Sequence, residues 1–128
     1  MDERERYESG MRARRSVLGD EHVERAEAAK SAFDAEFQDL ITRYAWGEIW
    51  MRPGLPLHTR SLLTIGLMVA LNRGEELRLH LRAAKNNGVT EEEIREVLMH
   101  CAVYCGVPAA NAAFHAAKDV FAEAGEAQ

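Results

Sequence analysis

The 128 residues contain only two cysteines and three prolines, and no long apolar run. Two cysteines in a chain without a visible secretory signal are expected to be reduced thiols. With so little proline, helices are permitted almost everywhere. The longest apolar stretch, residues 62–71, is interrupted by Thr64 and Gly66. At about ten residues it is half of what a membrane span requires, so it reads as a buried core helix and no membrane is expected as a partner. There is no excess of positive charge either. Lys and Arg number 16 against 21 Asp and Glu, a formal charge of −5, which argues against a phosphate-binding surface and against nucleic acid as a partner, although a few arginines could still hold a small anion. The first residues, Met-Asp-Glu-Arg-Glu-Arg-Tyr, carry charge but no apolar segment after it, so a cytoplasmic protein is expected. A Gly-rich phosphate loop, clear metal-ligand spacing, a strand pattern and internal repeats are all missing.

What is present is an ordinary globular mixture, 47% hydrophobic and 29% charged. The length suits one domain, residues 1–128, near the size at which oligomerisation helps to bury surface. Residues 3–18 form a weakly amphipathic helix that Gly19-Asp20 ends, and residues 21–30 a solvated helix or connector. From Ser31, a plausible N-cap, Phe33, Phe37, Leu40, Ile41 and Tyr44 fall at helical spacing and predict a firmly docked helix. The stretch from Trp46 to Pro56 holds both tryptophans and two prolines and reads as a loop of unusual apolar content. It covers a ligand pocket or another subunit, or else packs locally. His58 or Thr59 starts an almost wholly apolar central helix with Arg60 and Ser61 in its first turn. A cation there is disfavoured by the helix dipole unless an anion meets it, which makes Arg60 a reasonable anion ligand.

The next helix runs from Arg73 to Ala84 and is closed by Asn86-Asn87-Gly88. Leu77, Leu81 and Ala84 form its apolar stripe, His80 lies beside them, and Glu76 stands one turn earlier on the same side. That titratable pair is the candidate for chemistry; the other reading is a core histidine satisfied by a glutamate. Thr90 and Glu93 make a capping box for a helix striped by Ile94, Val97, Leu98, Cys101, Ala102 and Cys105, where packing is the expected role of both cysteines. His100 and Tyr104 lie off that stripe and face either a pocket or water. Pro108 opens a last helix whose alanines suit close approach, with His115 outward and residues 122–128 expected to fray.

Several motifs in order now carry a resemblance over nearly the whole chain: Trp46-Gly47-Glu48-x-Trp50-x-Arg52-Pro53-Gly54-Leu55, Thr59-Arg60-Ser61-Leu62-Leu63-Thr64, Glu76-Leu77-Arg78-Leu79-His80-Leu81-Arg82, Asn86-Asn87-Gly88-Val89-Thr90 and Tyr104-x-Gly106-Val107-Pro108-Ala109-Ala110-Asn111. The sequence resembles the gamma-carboxymuconolactone decarboxylases of aromatic catabolism. The resemblance implies an all-α fold similar to alkylhydroperoxidase D, assembled as a homo-oligomer, typically a hexamer with sites at subunit contacts. It implies a cofactor-independent reaction in which 4-carboxymuconolactone, a small dicarboxylate lactone, loses carbon dioxide to give the enol-lactone of 3-oxoadipate in the protocatechuate branch of the beta-ketoadipate pathway. His80, Glu76 and Arg60 are then the expected catalytic residues. Arg52, Trp46, Glu48, Trp50 and Tyr104 are the expected substrate-binding ones, and no metal is expected. The alternative, a thiol-dependent peroxide reductase of the same fold, would need Cys-x-x-Cys-x-x-x-His. Counting back from His80, those cysteine positions hold Arg73 and Glu76, and the acidic residue often found beside the arginine corresponds to Ser61.

Overall fold

The computed structural model describes residues 1–126, and its chain falls into two compact units, Met1–Leu57 and His58–Gln128. Every regular element among the described residues is helical. In the first unit, α1 (Glu3–Leu18) starts at Asp2, whose carboxylate accepts the Glu5 N–H at 2.8 Å, and Glu3 and Glu5 place negative charge at the positive end of the helix. The chain turns at Gly19 into α2 (Asp20–Ala29), so the charged stretch is a helix. Val17 and Val23 are buried at this corner. Arg14 is buried as well, and its Nη1 donates to Glu27 Oε1 at 3.1 Å while Lys30 Nζ reaches Glu27 Oε2 at 2.9 Å. A guanidinium out of water requires such a partner.

The segment that follows departs from expectation in two ways. Ser31 does not cap the helix: its N–H and hydroxyl donate to Asp34 in a turn, and α3 begins later, at Ala35 (Ala35–Ile41). Nor is α3 firmly docked, for it has no buried residue, and Phe33, Phe37, Leu40 and Tyr44 are all exposed. Spacing reveals that a face exists, not what covers it. The second departure concerns the tryptophan segment. Its first half is not a loop but a π-helix, Thr42–Ile49, continuous with α3 and carried on by the Trp50 N–H donating to the Ala45 carbonyl at 2.9 Å. Gly47, inside this π-helix, serves close approach. A Cβ at Gly47 would sit 2.5 Å from the Arg6 carbonyl, and one at Gly10 would overlap the Thr42 carbonyl, so the two glycines let α1 and the π-helix cross backbone to backbone.

In the second unit α4 spans Leu57–Ala70, α5 Gly74–Ala83, α6 Glu91–Tyr104 and α7 Val107–Glu126, with a 3₁₀ turn Ala84–Asn87 after α5 and Gly88 in the left-handed region. The core joins Ile65 and Val69 of α4, Leu77 and Leu81 of α5, Leu98 of α6 and Val120 of α7. Ala113, Ala116 and Ala117 are buried, as expected of a helix that neighbours approach closely. Arg78 pairs with Asp119 at 3.0 Å and Arg82 with Glu123 at 3.0 Å, which ties α5 to α7. The capping box is complete: Thr90 Oγ1 accepts the Glu93 N–H at 3.1 Å and Glu93 Oε1 accepts the Thr90 N–H at 2.9 Å. Cys101 is buried and Cys105 half-buried, and His115 faces outward. Helix α4 is not enclosed as its composition suggested. Only Ser61, Ile65 and Val69 are buried, and Leu63, Leu67 and Leu71 are left as an exposed stripe. Helix α7 runs through residues 122–126, where fraying was expected, and residues 127 and 128 of that expectation lie outside the described ones. Among the described residues no helix is long and apolar enough to cross a membrane.

Candidate active site

In the first unit the π-helix carries Trp46 and Glu48, and Trp50 follows at its C-terminal cap. Trp46 is buried, and its ring stacks on that of Trp50 with centroids 5.1 Å apart and planes 27° from parallel. Glu48, half-exposed, is held by Arg6, whose Nη1 donates to Glu48 Oε2 at 2.6 Å. Sequence reasoning missed Arg6, and with 42 positions between the partners no local pattern could have announced it. Arg52, just past the π-helix, is exposed. The structure thus brings the two tryptophans together and fixes the carboxylate beside them.

In the second unit His80 lies in the last turn of α5 and Glu76 in the first turn. His80 is half-buried and Glu76 exposed. Leu77 and Leu81 point into the core and Arg78 and Arg82 toward α7, so His80 occupies the side of α5 that neither takes. Arg60 is half-buried in the first turn of α4, next to Ser61, which is buried and whose hydroxyl has no hydrogen-bond partner among the described residues. Tyr104, at the end of α6, is 78% exposed and leans on His100 with ring centroids 4.9 Å apart. The pair expected to face a pocket or water therefore divides: Tyr104 stands out, and His100 lines a groove of about 730 Å³ between α4 and α6, floored by Leu62, Leu67, Val97 and Cys101. None of the candidate site residues lines that groove.

A second titratable pair was not foreseen. His58 Nε2 lies 2.7 Å from Glu93 Oε2 and joins the start of α4 to the cap of α6. The His58 contact and then the Thr90 N–H hold the Glu93 carboxyl below the usual carboxylate range. Its signal in the sequence was the capping box, which accounts for one carboxylate oxygen and leaves the other available. Burial, followed by the neighbouring Cys105, pushes the Cys101 thiol up, the opposite of what a redox nucleophile needs. Among the described residues no three His, Cys, Asp or Glu side chains stand together to hold a metal ion.

These features define an all-α protein with His80 and Arg60 in end turns of helices, Cys101 buried on α6 and Cys105 half-buried at the end of that helix. The family model described as the carboxymuconolactone decarboxylase family matches residues 35–119, and the chain belongs to that family. It is 51% identical over 125 residues to a 4-carboxymuconolactone decarboxylase of Acinetobacter baylyi, covering 98% of this chain and 93% of that one. It is also 51% identical over 102 residues to a nitrosuccinic acid decarboxylase of Metarhizium robertsii, covering 80% of this chain and 71% of the relative. A 4-carboxymuconolactone decarboxylase sequence of Pseudomonas putida is 52% identical over 48 residues, 38% of this chain and all of the relative.

Proposed function

We propose that the chain is a cofactor-independent decarboxylase that converts 4-carboxymuconolactone to the enol-lactone of 3-oxoadipate. The observation that carries this reading is the 51% identity to the Acinetobacter baylyi decarboxylase over nearly both full lengths. The chemistry agrees with the residues available. In the substrate the departing carboxylate is gamma to the lactone carbonyl across a double bond. As carbon dioxide leaves, its electron pair spreads through that double bond onto the carbonyl oxygen as a dienolate, so the substrate provides its own electron sink. What the protein supplies is an anchor for the retained carboxylate, a dry site, a partner for the enolate oxygen and a proton for carbon.

Arg60 and Arg52 are the proposed anchors, because a guanidinium holds a carboxylate bidentately. His80 is the proposed stabiliser of the enolate oxygen or general acid, with Glu76 setting its tautomer. Trp46 and Trp50, with Glu48 and Tyr104, are proposed to enclose the substrate and exclude water. The protein is proposed to work in the cytoplasm as one domain of this family, assembled as a homo-oligomer, a hexamer in the family's typical form. The exposed apolar stripes on α3 and α4 support an assembly, since a lone copy would leave them to water.

A second substrate deserves a place because the nitrosuccinic acid decarboxylase is equally identical over its matched length. A nitro group beside a departing carboxylate takes up the electron pair as a lactone carbonyl does, so the same anchors and the same acid would serve. Incubation with each acid in turn, following carbon dioxide and the decarboxylated product, tests both. Turnover of the lactone supports the first reading, turnover of nitrosuccinate alone replaces it with the second, and turnover of neither overturns both.

A further inference from the structure

His58 and Glu93 take no part in the proposed chemistry, yet each stands at a helix start. Glu93 divides its carboxylate: Oε1 accepts the Thr90 N–H at 2.9 Å and closes the capping box of α6, while Oε2 meets His58 Nε2 at 2.7 Å. A carboxylate only accepts, so Nε2 carries the proton and donates it. With side chains 36% and 38% exposed, such a pair adds little to stability. Its effect is on geometry. Residues 51–56, between the π-helix and α4, are exposed, form no regular element and include Pro53, Gly54 and Pro56. Helix α4 therefore starts without a helix before it to set its rotation, and residues 57–60 are half-buried, the first buried one being Ser61.

We propose that His58 is a positioning residue for the substrate anchor: held on Glu93, it sets the first turn of α4 and with it the direction of Arg60. His58 and Arg60 stand two positions apart, about 200° around the helix, so a turn fastened to α6 through His58 presents Arg60 on the opposite side. Thr64 Oγ1 donates to the Arg60 carbonyl at 2.7 Å and holds the same backbone from the following turn. The consequence for catalysis has a definite form. The carboxylate that Arg60 is proposed to hold is the one retained, and its charge is the same before and after carbon dioxide leaves. A displaced Arg60 therefore weakens substrate and transition state alike, which raises KM and leaves kcat. A merely structural loss does the reverse: it lowers the fraction of folded enzyme, and so the apparent kcat, with KM unchanged.

This role rests on the anchor reading of Arg60 under the proposed function, and the experiment separates the two. Initial rates with whichever acid the wild type turns over would be compared for His58→Leu, His58→Gln, Thr90→Ala, Arg60→Lys and the double variant His58→Leu, Arg60→Lys, with thermal midpoints as the check on folding. His58→Leu is expected to raise KM about five-fold, the scale of one exposed hydrogen-bonded pair, with kcat little changed. His58→Gln, whose amide can donate to Glu93 from the same place, should restore KM. Thr90→Ala, which removes the cap and keeps the pair, should lower the thermal midpoint and leave KM. In the double variant KM should rise by less than the product of the two single effects, because both act on one contact. An unchanged KM in Arg60→Lys would overturn the anchor reading and this role together, as would a wild type that turns over neither acid. If Arg60→Lys raises KM while His58→Leu leaves it, or lowers kcat alone, the positioning role falls and the anchor stands. A high KM kept in His58→Gln, or fully multiplicative effects in the double variant, would also overturn the positioning role.

Discussion

At the scale of single residues, His80 is the side chain on which the proposed chemistry turns, and its place in α5 separates it from its neighbours in the same motif. Arg78 and Arg82 are occupied by Asp119 and Glu123, and Leu77 and Leu81 by the core, so their replacement should lower stability first. His80→Gln should instead keep the helical signal while turnover falls by about 10²–10⁴. A steady-state rate close to wild type would return the imidazole to a packing role. Arg60→Lys should raise KM for the dianion, because an ammonium is a point charge without the guanidinium fork, and initial-rate kinetics would show it. Glu27 offers a pH dependence. The Lys30 ammonium, and after it Arg14, holds its carboxyl below the usual range. A carboxyl with a depressed folded pKa adds stability that is complete above its unfolded value of about 4.3 and is lost as pH falls through the folded one. Urea midpoints measured from neutral pH down to about pH 3 should therefore drop on acidification, and Glu27→Gln should make that drop shallower.

At the scale of elements, the crossing of α1 and the π-helix is the feature with least tolerance. Gly10 stands where any side chain would overlap the Thr42 carbonyl, and backbone cannot yield as a flexible side chain does. Gly10→Ala should cost about 2–4 kcal/mol in thermal or urea unfolding, although alanine is the better helix former in isolation. Because the π-helix holds the Trp46–Trp50 stack and the Arg6–Glu48 pair, tryptophan fluorescence should shift in the same variant. The elements also mark where pattern reading succeeds. Gly19, the capping box of Thr90 and Glu93, and the stop at Gly88 act within a few residues, and the helices they bound emerge at the expected places. A π-helix has no comparable signature, and Gly47, within the stretch read as a loop, is explained by Arg6, which lies forty-one positions earlier.

At the scale of the whole molecule, the exposed apolar side chains at and around α3 and α4 support the proposed assembly. If the sites lie at subunit contacts, as the resemblance to the family implies, specific activity should fall as the enzyme is diluted through the concentration at which copies separate. Assays over a dilution series would show this, and a constant specific activity across a verified dissociation would place each site within one copy. The peroxide reductase alternative has little support in the thiols. Cys101 lies on α6 and Cys105 at its C-terminal cap rather than on α5, and burial pushes the Cys101 thiol up.

The sequence by itself determined the all-helical class, the start and stop of most helices, the family and the residue types available for the reaction. Periodicity, caps and motifs act over a few positions and are written in order along the chain. Only the tertiary structure decided that α3 and α4 turn apolar faces outward, that Glu48 belongs to Arg6 and Glu93 to His58, and that two glycines let a π-helix lie against α1. Those outcomes depend on which surfaces meet across large separations in sequence, and a helical repeat specifies that a face exists without specifying its neighbour.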